Sequence, residues 1–102
     1  MSESEPGKLT QDEVYDLLSN PRRRFIISHL RGREGPVGLI ELAKTVAAWE
    51  NRTTVEEVTD QQEKRVYVSL YQTHIPKLDD AGIIDYDQET GLITLADNVT
   101  AL

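Results

Sequence analysis

The chain has 102 residues, 18 of them acidic and 11 basic, for a net charge of −7. That length supports a single two-layer core and leaves no room for a typical two-domain enzyme with a cleft. The absence of cysteine excludes disulfides, thiolate zinc sites, iron–sulfur clusters and thiol nucleophiles.

Residues 1–8 are polar and acidic and read as a disordered tail. Thr10 with Glu13 forms a capping box, and Leu9 with Val14 a hydrophobic staple. Val14, Leu17 and Leu18 then give the stripe of a short amphipathic helix over 10–18. Asn20-Pro21 opens a second helix, about 21–31, because asparagine caps well and proline suits the first helical position. Gly32 is expected to end it in the left-handed conformation, and Gly35-Pro36 to turn the chain. A third helix runs from about Gly38 to Glu50, with Leu39, Leu42, Ala43, Val46 and Trp49 on one face. Residues 51–60 read as a loop with a helical turn near Val55–Val58. Thr59 with Gln62, or Asp60 with Glu63, then caps a long helix of about 60–81. A uniform helical wheel puts Tyr67, Tyr71, Leu78 and Ala81 on its inward side, with Lys64, Val68 and Ile75 beside them. Pro76 predicts a kink or break near His74–Pro76, and Gly82 ends the helix. Residues 83–95 read as strand, glycine-closed turn and strand. The compact domain is thus expected over 9–96, with a frayed end at 97–102.

Three or four helices followed by a β-hairpin is the order of a winged helix-turn-helix, an α+β, mainly α, fold. The local words carry a resemblance as well. Asn20-Pro21-Arg22-Arg23-Arg24 resembles the opening of the first helix in archaeal metal-responsive-type winged-helix regulators. Glu41-Leu42-Ala43 resembles their second helix, and His74 through Ile83 the end of their third helix and the start of the wing. The stretch from Leu17 to Leu95 also resembles a family of small haloarchaeal winged-helix domains of unassigned function, through the words at 47–50 and 66–74. The resemblance implies a DNA-binding transcriptional regulator of a halophilic archaeon, cytoplasmic, contacting double-stranded DNA and able to form a homodimer, with no cofactor.

A major groove admits one α-helix, whose exposed face reads base edges while the rest of the fold holds it there. On the uniform wheel the outward face of helix 60–81 holds Gln62, Arg65, Ser69, Gln72 and Thr73. Arg65, Ser69, Gln72 and Thr73 are therefore the candidate base contacts. Positive charge concentrates at 21–35, with five arginines against one carboxylate, and at 61–78, with three basic residues against one. Arg22, Arg23, Lys64 and Lys77 are the candidate phosphate contacts. A competing reading pairs Arg22–Arg24 with nearby carboxylates, Asp12 or Asp16. The wing tip, Asp85 through Glu89, is acidic and is expected to stay out of the groove. Acidic excess with four lysines against seven arginines fits a salt-loaded cytoplasm.

No catalytic constellation is legible, and an enzyme is not expected. His29 reads as solvent-facing and His74 as a satisfied residue beside the kink; no metal site is expected. No run of about 18 apolar residues predicts a membrane span, and the acidic opening at 1–6 is the reverse of a signal peptide. The rival function is a winged-helix protein-interaction module that does not bind DNA. Tyr15, Trp49, Tyr67 and Tyr71 would then be anchors, although Tyr71 and, more narrowly, Trp49 read first as core.

Overall fold

Three of the helices begin where a side chain satisfies their first free amide groups. A computed structural model describes residues 10–97. The expected tail at 1–8, Leu9 of the staple and residues 98–102 of the expected frayed end lie outside the described residues. Helix α1 spans Gln11–Leu18. The Glu13 amide donates to Thr10 Oγ1 at 3.1 Å, and the Thr10 amide to Glu13 Oε1 at 2.8 Å, the capping box that the spacing predicts. Helix α2 spans Pro21–Arg31, and Asn20 Oδ1 accepts from the Arg22 amide at 2.9 Å. Strand β1 is Val37–Gly38 and leads directly into helix α3, Leu39–Glu50. A 3-10 turn at Val55–Glu57 occupies the loop where a helical turn was expected. Helix α4, Asp60–Ser69, opens on the Thr59–Gln62 capping box, with bonds of 3.0 and 3.1 Å. A π-helical segment, Leu70–His74, joins it to helix α5, Ile75–Asp80.

Strands β2, Ile84–Asp87, and β3, Leu92–Leu95, form the expected hairpin. The sheet has a third member, because β1 pairs antiparallel with β3, giving the order β1-β3-β2. Ile93 faces Val37 on one side and Tyr86 on the other. A two-residue strand is too short to show a period in sequence, so β1 escaped the expectation of a simple turn. The result is α+β, mainly helical, with a small antiparallel sheet, an order compatible with a winged helix-turn-helix. No helix among the described residues is long and apolar enough to cross a membrane.

Two glycines behave differently. Gly82 has φ +78°, with its amide on the Asp79 carbonyl and the Ile83 amide on the Leu78 carbonyl, both at 3.0 Å. These are the two bonds of a Schellman cap. Gly32, expected to be left-handed, has φ −81°. Its amide instead donates to the Ser28 and His29 carbonyls at 3.2 Å, so a tightened last turn ends α2 without a positive φ.

The long helical run departs most from its sequence reading. Its buried side is Val66, Leu70, His74, Ile75 and Leu78. Tyr71 and Val68, expected inward, are 52% and 40% exposed, Lys64 is exposed, and Tyr67 is half-buried. The cause is the π turn. In it the Ile75 amide donates to the carbonyl of Leu70, five residues back, so the run carries one residue more than an α-helix would between its ends. An extra residue rotates the turns before it by about 100° relative to the turns after it. The wheel centred on Leu78 therefore points one residue too far along α4, at Tyr67 and Tyr71 instead of Val66 and Leu70. Pro76 lacks an amide and would crowd the carbonyl of Gln72 in a regular α-helix. The wider turn relieves that conflict, placing the distortion at 70–74, just ahead of the proline.

At the end of α3, Arg52 has φ +52°. The Thr53 amide donates to the Ala48 carbonyl at 3.0 Å, so Arg52 holds the left-handed position that glycine usually fills in this cap. A side chain there is strained. Arg52→Gly is expected to stabilise the domain by about 0.5–1 kcal/mol, read as a higher urea midpoint at unchanged slope.

Candidate nucleic-acid interface

The outward face of α4 is the complement of the buried one. With Val66 and Leu70 inward, the exposed residues are Asp60, Gln61, Lys64, Arg65 and Val68 on α4 and Tyr71, Gln72 and Thr73 in the π segment. Of the expected base contacts, Arg65, Gln72 and Thr73 are exposed, and Ser69 is half-buried on the flank. Lys64, expected at phosphates, stands on the ridge itself. Gln61, Val68 and Tyr71 belong to this face and were missed; the signal that finds them is Pro76, read as a phase change and not only as a kink.

The ridge mixes chemistries. Lys64 and Arg65 supply charge, and neither makes an ion pair among the described residues. Gln61 and Gln72 supply amides able to pair with base edges. Tyr71 stacks on Tyr67, with centroids 6.1 Å apart and planes 4° from parallel. Tyr86 of the wing lies near both tyrosines. Burial pushes its phenol pKa up first, with Tyr67, Tyr71 and Asp87 adding to the rise. The wing tip is occupied with its own turn. Asp87 Oδ1 accepts from the amides of Glu89 at 2.9 Å and Thr90 at 3.4 Å, and Gly91 has φ +74°.

The arginines at 22–24 all bind partners within the chain, and only Arg23 does so from a buried position. Helix α1 has no basic residue in its last turn; Ser19 caps the Asp16 carbonyl with its hydroxyl at 2.7 Å and its amide at 3.3 Å, and the carbonyls of Leu17 and Leu18 take arginines. Arg23 Nε donates to the Leu17 carbonyl at 2.8 Å, and Arg23 Nη2 to the Asp16 carbonyl at 3.0 Å. Arg24 donates to the Leu18 carbonyl. Arg23 is only 6% exposed, which removes it from the phosphate-contact set. Arg22 makes a two-pronged ion pair with Glu50. Its carboxylate partner is thus Glu50, where the competing sequence reading named Asp12 or Asp16. Lys77 pairs with Asp16 at 3.0 Å, and that contact holds the Asp16 carboxyl below its usual range. Both side chains are exposed, so this pair is weak and exchangeable.

His74 is buried, with Nδ1 3.3 Å from Arg23 Nη1. Burial pushes its pKa down, and the Arg23 charge pushes it further. His29, expected to face solvent, is half-buried and stacks on Phe25 at 6.0 Å. Its Nε2 is buried with no hydrogen-bond partner, and burial lowers its pKa as well. Among the described residues no three His, Asp or Glu side chains gather as a metal site.

Compared with known proteins, residues 15–94 match the family described as a domain of unknown function, DUF7344. No curated protein and no solved structure matches the chain. With most of its length inside that match, the chain belongs to the DUF7344 family.

Proposed function

We propose that this domain binds double-stranded DNA as a transcriptional regulator, with the exposed face of α4 in the major groove. The observation that carries the reading is that face. Lys64 and Arg65 face outward from α4, the two cations without an ion pair among the described residues, and Gln72 faces outward from the π segment that continues it, along the run that a winged helix-turn-helix uses for reading. Arg65 suits guanine and Gln72 adenine, and the Val68 methyls suit a thymine methyl. Lys64 and Thr73 reach phosphates or bases from the flanks. Lys77 can exchange its exposed pair with Asp16 for a phosphate. The acidic wing stays off the backbone.

The acidic surface fits a halophilic cytoplasm. At about 1 M salt the Debye length is about 3 Å, so distant carboxylates repel DNA little and counterion release contributes little. Binding then rests on short contacts from α4. Fluorescence anisotropy with sheared genomic DNA, from about 0.2 to 2 M KCl, tests this. Wild type is expected to bind saturably, and the Lys64→Ala/Arg65→Ala/Gln72→Ala variant to lose at least about tenfold in affinity. A folded wild type that binds at no salt concentration overturns the proposal.

A second reading has its own observation. Ile40, Val68 and Tyr71 are exposed apolar side chains, and Arg22 and Arg23 already hold partners within the chain. A protein-interaction surface, a homodimer included, uses aromatic anchors in this way. Failure of DNA binding, with a dimer in sedimentation that Tyr71→Ala disrupts, would establish it.

A further inference from the structure

Helices α2 and α3 bring three near-parallel rings into a column. His29 stacks on Phe25 at 6.0 Å and 8°, and Phe25 on Trp49 at 4.6 Å and 18°. The column ends at Trp49, which is 42% exposed although it lies on a helix whose other apolar residues are largely buried. Phe25 fixes one face of the indole. Beyond it lies an open cleft of about 470 Å³, lined by Trp49, Pro21, Asn20, Arg22, Glu50 and His74. That volume falls in the range of small-molecule sites, about 300–1,000 Å³.

The lining says what kind of molecule fits. The indole and the Pro21 ring offer flat apolar surface. Arg22 and Glu50 neutralise each other in a two-pronged pair, so a charged ligand would have to displace one of them. The remaining polar groups are suited to a heterocycle's edge. A guanidinium has only donors, so His74 Nδ1 accepts from Arg23, and the imidazole proton sits on Nε2. Asn20 uses its Oδ1 on the Arg22 amide, which leaves its NH₂ as a second donor. The Glu50 carboxylate is an acceptor with lone pairs to spare.

We propose that this cleft binds a flat, uncharged nitrogen heterocycle, a purine or pyrimidine base free or as its nucleoside, stacked on the outer face of Trp49. The site is separate from the α4 ridge and does not depend on DNA binding. It sits at the junction of the elements that hold α4 in place, since His74 ends the π segment and Arg23 beside it holds the end of α1.

Trp49 is the sole tryptophan, so its emission reports on the site directly. The full chain is titrated with adenosine, guanosine, cytidine and uridine, and with benzoate as a flat ring that carries charge and lacks a base edge. The expected result is a saturable change with at least one nucleoside, half-complete below about 1 mM, and none with benzoate. Trp49→Ala, followed by calorimetry because it has lost the reporter, is expected to weaken binding about 5- to 150-fold, the worth of one base–aromatic stack. Its circular dichroism establishes that it is folded, and Glu50→Gln, which keeps the indole, serves as the second variant and is expected to weaken binding as well. No spectral change with any nucleoside up to about 10 mM overturns the proposal. So does benzoate binding as tightly as the best nucleoside, or unchanged affinity in folded Trp49→Ala.

Discussion

Leu70→Ala is expected to destabilise the domain by about 2–5 kcal/mol, and Tyr71→Ala by about 1 kcal/mol or less. Leu70 is fully buried at the start of the π segment, between α4 and the core. Truncating it removes apolar burial and leaves a cavity that close-packed neighbours fill only in part. Tyr71 is next in sequence but half exposed, and its loss is chiefly that of the stacking on Tyr67. Urea denaturation monitored by circular dichroism separates the two, with both slopes kept equal to wild type. Since total stability for a domain of this size is about 5–15 kcal/mol, the larger loss brings unfolding close to ambient conditions. If Tyr71→Ala proved the costlier change, α4 would carry the phase of a continuous α-helix, and the face assigned to DNA would be wrong by one residue.

That pair of residues also shows where sequence reading stops. Caps were legible, because they depend on two or three neighbouring side chains: Thr10 with Glu13, Asn20 before Pro21, Thr59 with Gln62. The hairpin was legible from its alternation and from Gly91. The face of α4 was not, because a wheel assumes a constant rotation of about 100° per residue, and the π turn breaks that assumption at one place. Pro76 announced a distortion but not its kind. The arginines were illegible for another reason. Their partners at Asp16, Leu17 and Leu18 are backbone carbonyls, which every sequence has everywhere, and the Glu50 partner of Arg22 lies 28 positions away. Trp49 misled in turn: its spacing puts it with Leu42 and Val46 on α3, yet its ring emerges beside Phe25 at the surface.

Arg23→Ala is expected to cost about 3 kcal/mol, against about 0–1 kcal/mol for Lys77→Ala. Lys77 and Asp16 form an exposed pair, screened by water and salt. Arg23 is different because, among the described residues, only Ser19 and Arg24 join it in capping the end of α1. A hydrogen bond from a charged donor contributes about 1.5–3 kcal/mol, and its removal leaves the buried Leu17 carbonyl bare while the Asp16 carbonyl keeps Ser19. Arg23→Lys should rescue little, since one ammonium cannot span two carbonyls and an imidazole as the guanidinium fork does. The same residue contributes, after burial, to acid stability. His74 has a folded pKa below its unfolded value, through burial first and then the charges of Arg23 and Arg22, with Glu50 opposing and Lys77 adding least. Above the ordinary histidine value of about 6.5 the stabilisation is complete. As pH falls below that value the unfolded chain binds a proton that the folded one resists, so stability declines. His29 adds to the decline in the same window, whereas Asp16, held low by Lys77, matters only in the carboxylate range. Between about pH 7.5 and 5.5 the melting temperature should therefore fall for wild type, and less so for Arg23→Ala, whose His74 no longer faces a buried cation. A variant as stable as wild type, with the same acid dependence, would mean that α1 is held by contacts other than this arginine, and that Arg23 is free to leave the interior for a phosphate.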